Sequence, residues 1–199
     1  MNDLSPELKK LFLKYDGDTK KLLQENPNLD YLYALSDIRE NLLEWYEFDE
    51  ESSLLQVGSD YGALTGLYSR RVKEVTVLDP DSNNLSFNRL RNEKQGNIRY
   101  ITGDLDTFEE DGFNYVVMVG SLRPPYDKHI RKAKSLLKPE GKLILSVCNR
   151  LGLKYQAGAV PDQDRLSRAE VLELLCGEDG GSGNAEFHYL SLIHISEPT

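Results

Sequence analysis

Residues Ser53 to Asp81, SLLQVGSDYGALTGLYSRRVKEVTVLDPD, decide the fold. The apolar run Leu54, Leu55, Val57 is short and bounded by turn residues, as a strand buried in a parallel sheet should be. Gly58 and Gly62 stand where the backbone must turn sharply and let a ligand come close. Helical character resumes at Ala63, Leu64 and Leu67. A second strand, Glu74 to Leu78, ends at Asp79, about 20 residues after Gly58, the offset expected of an acid that holds a ribose hydroxyl pair. This order predicts a site for an adenosine-containing cofactor at the carboxyl end of a parallel sheet.

The rest of the chain repeats the alternation. A polar helix is expected around Asn84 to Lys94, a third strand at Ile98 to Thr102 and a fourth at Phe113 to Val119. Tyr126 to Leu137 reads as a helix with Ile130, Ala133, Leu136 and Leu137 facing inward. Lys138-Pro139-Glu140-Gly141 turns it into a fifth strand, Lys142 to Val147. Strands alternating with helices predict a doubly wound α/β sheet. Upstream, Ser5-Pro6-Glu7 starts a helix with Ser at the cap and Pro in the first turn. The pattern breaks at Asn28 to Asp30 and resumes from Leu35 to Trp45, with Leu35, Ile38, Leu42, Leu43 and Trp45 on one apolar face. This part reads as a helical cap packed on the sheet, or as a lid over the cofactor. Downstream, Ser167 and Glu170 form a capping box for a short helix to Leu175. Gly177 to Asn184 is a loop, and Ala185 to Leu190 could begin a sixth strand.

The expected organisation is a helical cap over 1–50, a cofactor-binding core over 51–150, an incomplete C-terminal part of the same domain over 151–189, and a non-native tail over 190–199. The 199 residues suit one domain with a substantial core. A net charge of −9 argues against nucleic-acid phosphate or an anionic membrane as the main partner. Cys148 and Cys176 lack metal-ligand spacing, the three histidines are scattered, and no metal is expected. Cys148 reads as a small core residue. No apolar run suggests a membrane span or a signal peptide, so the expected location is the cytoplasm.

A nicotinamide enzyme would carry G-x-G-x-x-G in the first turn, and a P-loop would carry G-x-x-x-x-G-K-[ST]. The spacing here is Gly58-x-x-x-Gly62-x-x-x-Gly66, which matches neither. The remaining reading is S-adenosylmethionine, which has no pyrophosphate to cradle. From Leu35 to Arg150 the chain resembles the class I methyltransferases, whose fold is a doubly wound, mostly parallel Rossmann-like sheet. Their first motif, acid-x-Gly-x-Gly-x-Gly, corresponds to Gln56-Val57-Gly58-Ser59-Asp60-Tyr61-Gly62. The resemblance implies that Gly58 to Gly62 border the methionine part of the cofactor and that Asp79 and Pro80 bind ribose and flank adenine. It also implies that Asp104 and Leu105 meet the adenine, and that Gly120 and Ser121 face the methionine end and the acceptor. The segment LLKPEGKLILS is typical of the same family. IRENLLEWYEF, GALTGLYSRRV and NRLGLKYQAGA resemble bacterial methyltransferases that accompany, or are fused to, glycosyltransferases. That resemblance implies a saccharide or other small polar acceptor. A longer insertion usually follows the last motif in that group; here Val160 to Asp164 leads almost directly to the Ser167 helix, implying a short acceptor lid.

Two departures stand out. Gln56 replaces an acid that would help bind the cofactor ammonium, and an amide cannot pair charge. Asp60 replaces a glycine and brings a negative charge near the cofactor carboxylate, unless it points outward or takes over the missing acid's role. They motivate an alternative reading, a methyltransferase-fold binding module without turnover; an NAD-dependent oxidoreductase is a third reading, which the glycine spacing disfavours. A hydroxyl acceptor would need a general base. Candidates are Asp127, His129 and Tyr155, against plainer roles at a helix start, on a helix surface and in packing. Arg123, Asn149 and Arg150 are candidates to bind the acceptor, although Arg150 could equally pair with a surface acid. The last ten residues, LSLIHISEPT, match the translation of a common sequencing adapter, so the sheet is expected to lack its final strands. Such a sheet would expose an apolar edge and favour self-association.

Overall fold

Polar caps set the N-terminal helices. The computed structural model describes residues 5–152, 158, 165–176 and 185–188. Helix α1 spans Ser5–Lys14. The Asp18 carboxylate accepts from the Lys21 amide ahead of α2, Thr19–Glu25, and the Asn28 side chain accepts from the Asp30 and Tyr31 amides ahead of α3, Leu29–Leu35. Asn28 therefore both breaks one helix pattern and starts the next. The helix expected from Leu35 to Trp45 is replaced by the end of α3 and a 3₁₀ helix, Asp37–Leu42. Ser36, at ψ 136°, takes the chain out of α-helical geometry and caps the new turn through Ile38 N. Leu35 and Leu43 are buried as expected, but Trp45 is 45 % exposed and caps the Leu42 carbonyl instead of joining the core.

The chain divides into two compact units, the first ending at Asp104 and the second beginning at Leu105. The first contains β1 (Ser53–Val57), α4 (Ala63–Arg71), β2 (Glu74–Asp79), α5 (Ser82–Arg91) and β3 (Ile98–Thr102). Strands β1 and β2 pair in parallel from Ser53 opposite Glu74 to Val57 opposite Leu78; β2 and β3 pair in parallel from Val75 opposite Ile98. The N-terminal helices pack on α5 rather than on the strands, through a cluster of Leu8, Phe12, Leu22, Tyr31, Ala34, Leu35 and Phe87. Burial on this scale stabilises by roughly 1.5–3 kcal/mol for each large apolar side chain.

The second unit holds a 3₁₀ turn, Leu105–Thr107, then β4 (Phe113–Val119), α6 (Tyr126–Ser135) and β5 (Leu137–Ser146). It continues with β6 (Cys148–Asn149), β7 (Arg165–Leu166) and α7 (Arg168–Cys176). Strand β5 begins earlier than expected. Leu137 pairs with Phe113, the register then shifts, and Lys142 pairs with Tyr115. Gly141 permits this, because a Cβ there would lie 2.9 Å from the Phe113 carbonyl oxygen. Cys148 is exposed on the two-stranded β6–β7 pair instead of buried in the core, since β5 has ended at Ser146. The Ser167–Glu170 capping box is present. Residues 185–188 form no strand; Leu190 to Thr199 and the loop Gly177 to Asn184 lie outside the described residues. The five long strands form one parallel, Rossmann-like sheet in the order β3-β2-β1-β4-β5.

Candidate cofactor site

The turn after β1 is built by left-handed backbone. Gly58 has φ 76° and Gly62 φ 77°, while Asp60 between them takes φ 44°, a conformation uncommon for a residue with a side chain. The turn is tied to the end of β2. Gly58 N donates to the Leu78 carbonyl at 2.8 Å, and Asp79 accepts from Ser59 N at 2.7 Å and Ser59 Oγ at 2.8 Å. The other Asp79 oxygen accepts from Asp81 N at 2.9 Å. Asp79 is only 3 % exposed, so these three donors hold a buried carboxylate at the strand end. A carboxylate has about four acceptor positions, which leaves one vacant; a second becomes free if the Ser59 hydroxyl rotates.

Glycine is required at 62 for contact as well as for φ. A Cβ there would stand 2.6 Å from Asn88 Cγ and 2.9 Å from Asn88 Cα. At Gly66, one turn further along α4, a Cβ would stand 2.8 Å from Asn92 Oδ1. Helices α4 and α5 thus approach closely, with a polar chain between them. Gln56 Nε2 donates to the Gly58 carbonyl at 3.2 Å, and Gln56 Oε1 accepts from Thr65 Oγ1 at 2.7 Å. Thr65 Oγ1 accepts from Asn88 Nδ2 at 2.7 Å, and Asn88 Oδ1 accepts from Asn92 Nδ2 at 2.9 Å and from the Tyr100 hydroxyl at 3.3 Å. Asn92 Nδ2 also donates to the Gly62 carbonyl at 3.1 Å. Burial pushes the Tyr100 phenol up to about 12.

Asp60 points outward and pairs with Arg39 at 2.9 Å, its side chain 58 % exposed. The Tyr61 ring packs edge-on against Phe87 at a centroid distance of 5.6 Å. The Tyr61 carbonyl, together with those of Ala34 and Leu35, accepts from Arg91, which also pairs with Asp37 at 2.9 Å. Burial lowers the Arg91 pKa. Pro80 and Asp104 are exposed beyond the ends of β2 and β3. A separate polar cleft of about 280 Å³, lined by Asp37, Glu40, Arg70, Arg91 and Asn92 among others, contains none of the predicted cofactor residues.

In the second unit, Leu105 is buried at the head of its 3₁₀ turn, and Gly120 and Ser121 follow β4. Gly120 N donates to the Ser146 carbonyl at 3.2 Å. The Arg123 guanidinium folds back on its own loop, donating to the Gly120 and Leu122 carbonyls. Asp127 pairs with Arg131 one helical turn away at 2.6 Å. His129 Nδ1 lies 2.8 Å from the Arg123 carbonyl, which can only accept, so this nitrogen carries the proton. Its Nε2 faces Asp106 Oδ1 at 3.6 Å. A hydrogen bond from Lys128 holds the Asp106 pKa below its ordinary value. Arg150 pairs with Glu170 at 2.6 Å, and the Asn149 side chain accepts from Leu151 N at 3.0 Å. Tyr155 lies outside the described residues.

Sequence reading missed Thr65, Asn88, Asn92, Tyr100, Arg91 and Asp106. The signal for two of them was present: Leu85, Asn88 and Asn92 share one helical face, so a buried leucine marks the asparagines as inward-facing. Among the described residues, no group of three or more His, Cys, Asp or Glu side chains could hold a metal, and no helix is long and apolar enough to cross a membrane.

Residues 55–145 match the family model of a methyltransferase domain. No curated protein matches the sequence. Among solved structures, a provisionally assigned O-methyltransferase from Nostoc punctiforme PCC 73102 superposes with a TM-score of 0.63 at 17 % identity, over 82 % of this chain and 55 % of its own. The N-methyltransferase NodS from Bradyrhizobium japonicum WM9, in complex with S-adenosyl-L-homocysteine, gives 0.55 at 17 % identity over 84 % of this chain and 83 % of its own. Phosphoethanolamine N-methyltransferase 1 from Haemonchus contortus, in complex with phosphoethanolamine and S-adenosylhomocysteine, gives 0.53 at 18 % identity. The overlap with it covers 83 % of this chain and 35 % of its own. The family model thus describes the segment 55–145 as a methyltransferase domain, and the solved structures share the fold of this chain.

Proposed function

We propose that this domain transfers a methyl group from S-adenosylmethionine to a small polar acceptor, a saccharide or glycan precursor, in the cytoplasm. The observation that carries the reading is the Gly58–Gly62 turn, pinned through Ser59 to the buried Asp79 at the end of β2, inside the segment that matches the family model. Asp79 retains acceptor capacity for ribose hydroxyls, and Gly58 and Gly62 supply the left-handed φ that the turn requires. When bound, the cofactor supplies an electrophilic methyl on a sulfonium. The chain's own residues orient the reactants and receive the acceptor's proton. Gly58 to Gly62, Asp79 and Pro80 would hold the cofactor, with Asp104, Leu105, Gly120 and Ser121 completing its contacts as the resemblance implies.

His129 is the favoured proton acceptor for a hydroxyl substrate. Its Nδ1–H is fixed on a carbonyl, so Nε2 is the position that would take the proton, with the Asp106 carboxylate 3.6 Å away to hold the charged form. Asp127 is less suited, because Arg131 already engages it, and Arg150 is similarly engaged by Glu170. The likeness of IRENLLEWYEF and NRLGLKYQAGA to glycosyltransferase-associated methyltransferases supports the saccharide acceptor and a glycosyltransferase partner.

A second reading, a binding module without turnover, draws on Gln56 and Asp60. Both spend their polar groups on the protein, Gln56 on Gly58 and Thr65, Asp60 on Arg39. Calorimetric titration with S-adenosylhomocysteine tests the shared premise, and methyl transfer from labelled S-adenosylmethionine to a panel of sugars and nucleotide sugars separates the two. Binding with transfer supports the enzyme, binding without transfer to any acceptor supports the module, and no binding by a folded chain refutes both.

A further inference from the structure

The donors and acceptors between Gly58 and Tyr100 can be assigned one by one, and the assignment has only one direction. The Gly58 carbonyl accepts, so the Gln56 group facing it at 3.2 Å must donate and is the NH₂. Gln56 Oε1 then faces Thr65 Oγ1 at 2.7 Å and must accept, which turns the threonine hydroxyl toward it. That leaves Thr65 Oγ1 as acceptor for Asn88 Nδ2, and Asn88 Oδ1 as acceptor for Asn92 and Tyr100. Gln56, Thr65 and Asn88 are 4 %, 0 % and 0 % exposed, so water cannot substitute for a lost partner. The far end of the chain returns to the same turn, since Asn92 holds the Gly62 carbonyl.

We propose that Gln56 is a positioning residue of the cofactor turn, and that its role requires a side-chain amide. Through Gly58 at one end and Asn92 on Gly62 at the other, the relay fixes both ends of the turn. This rests on the cofactor reading above. A carboxylate at 56 has no hydrogen to give Gly58 and would set a negative charge against a carbonyl oxygen in a buried place. A protonated carboxyl has one donor and one acceptor and satisfies both neighbours. Gln56→Glu is therefore impaired in a pH-dependent way that loss of packing alone would not produce.

The test is S-adenosylhomocysteine affinity by calorimetry from about pH 8 down to about pH 5.5, with circular dichroism confirming the fold of each variant. Wild type should vary little, whereas Gln56→Glu should bind roughly tenfold or more weakly at the alkaline end and recover toward wild type on acidification. Equal affinity at every pH, or weak binding that never recovers, overturns the proposal. If Gln56→Glu does not fold, Thr65→Val against Thr65→Ser decides. The valine keeps the shape without the hydroxyl and should weaken binding, while the serine should not; equal behaviour of the two overturns the relay. If wild type itself binds no S-adenosylhomocysteine, the cofactor reading fails separately. Amide exchange at Gly58 to Gly62 in the unliganded chain then judges the relay, with faster exchange in Thr65→Val than in Thr65→Ser supporting it and unchanged exchange refuting it.

Discussion

Replacing Gly62 with alanine tests whether the α4–α5 contact really dictates the residue at the turn. Three costs add. The left-handed φ of 77° disfavours any L side chain by about 1–2 kcal/mol. The new Cβ would lie 2.6 Å from Asn88 Cγ and Oδ1, and moving that side chain strains its 2.7 Å bond to Thr65, worth about 1–3 kcal/mol when a buried group is left unpaired. Asn88 Cα, 2.9 Å away, belongs to a helix backbone and cannot rotate aside, so some overlap persists. The first two alone sum to about 2–5 kcal/mol and the overlap adds to them, a large share of the roughly 5–15 kcal/mol that a domain has in total. Thermal midpoints should fall by at least roughly 4–20 °C, and urea midpoints in proportion. Gly112 is the control: φ is 82°, but nothing lies within 4 Å of a Cβ, so Gly112→Ala should incur only the backbone cost. If the two variants unfold at the same urea concentration, the close approach at Asn88 does not constrain the turn and the argument for Gly62 fails.

Other outcomes follow from single contacts. Arg91→Met should destabilise by about 2–4 kcal/mol in urea melts, because it strips a charged donor from the Ala34, Leu35 and Tyr61 carbonyls; a loss under about 0.5 kcal/mol would show that those contacts carry little. Asp60→Gly should change stability by less than about 1 kcal/mol, since an exposed pair with Arg39 is lost while left-handed strain at φ 44° is relieved. Glu170 is held below its ordinary pKa of 4.5, first by the Ser167 amide and hydroxyl and then by Arg150. A depressed folded-state pKa contributes stability that is complete above 4.5 and is lost as pH falls through the folded value. Wild type should therefore exceed Glu170→Gln in urea midpoint at about pH 6, and the gap should narrow as pH falls below 4.5; a gap independent of pH would contradict the assignment.

The strands were legible because a buried parallel strand has few alternatives. Leu54, Leu55 and Val57, or Val75, Val77 and Leu78, cannot face water and are too short for a helix, so their position in the sheet follows from composition and from the turns between them. The two glycines and Asp79 were legible for a related reason, since left-handed φ and a buried acid at a strand end leave residue-type signatures. Leu35 to Trp45 was misread because a 3.6-residue pattern looks the same whether one helix continues or Ser36 ends it and starts another. Cys148 was misread because an apolar run does not reveal where its strand leaves the sheet.

What the site demands of Gln56 lay deeper, because it is a property of a chain of partners and not of one residue. By itself, glutamine in the place of an acid looks like lost charge. Its meaning changes once Thr65 lies at 2.7 Å and Asn88 beyond it, since an amide is then the neutral group that donates to Gly58 while accepting from a hydroxyl. The substitution cannot be judged without Thr65 and Asn88, nor Asn88 without Gly62, whose missing side chain makes room for it. Residues 56, 62, 65 and 88 therefore act as one unit, and changes among them should not be additive. Gln56→Glu combined with Thr65→Val should lose less stability than the sum of the single changes, by roughly 0.5–3 kcal/mol in a double-mutant cycle. Strict additivity would mean that each side chain acts on the turn alone.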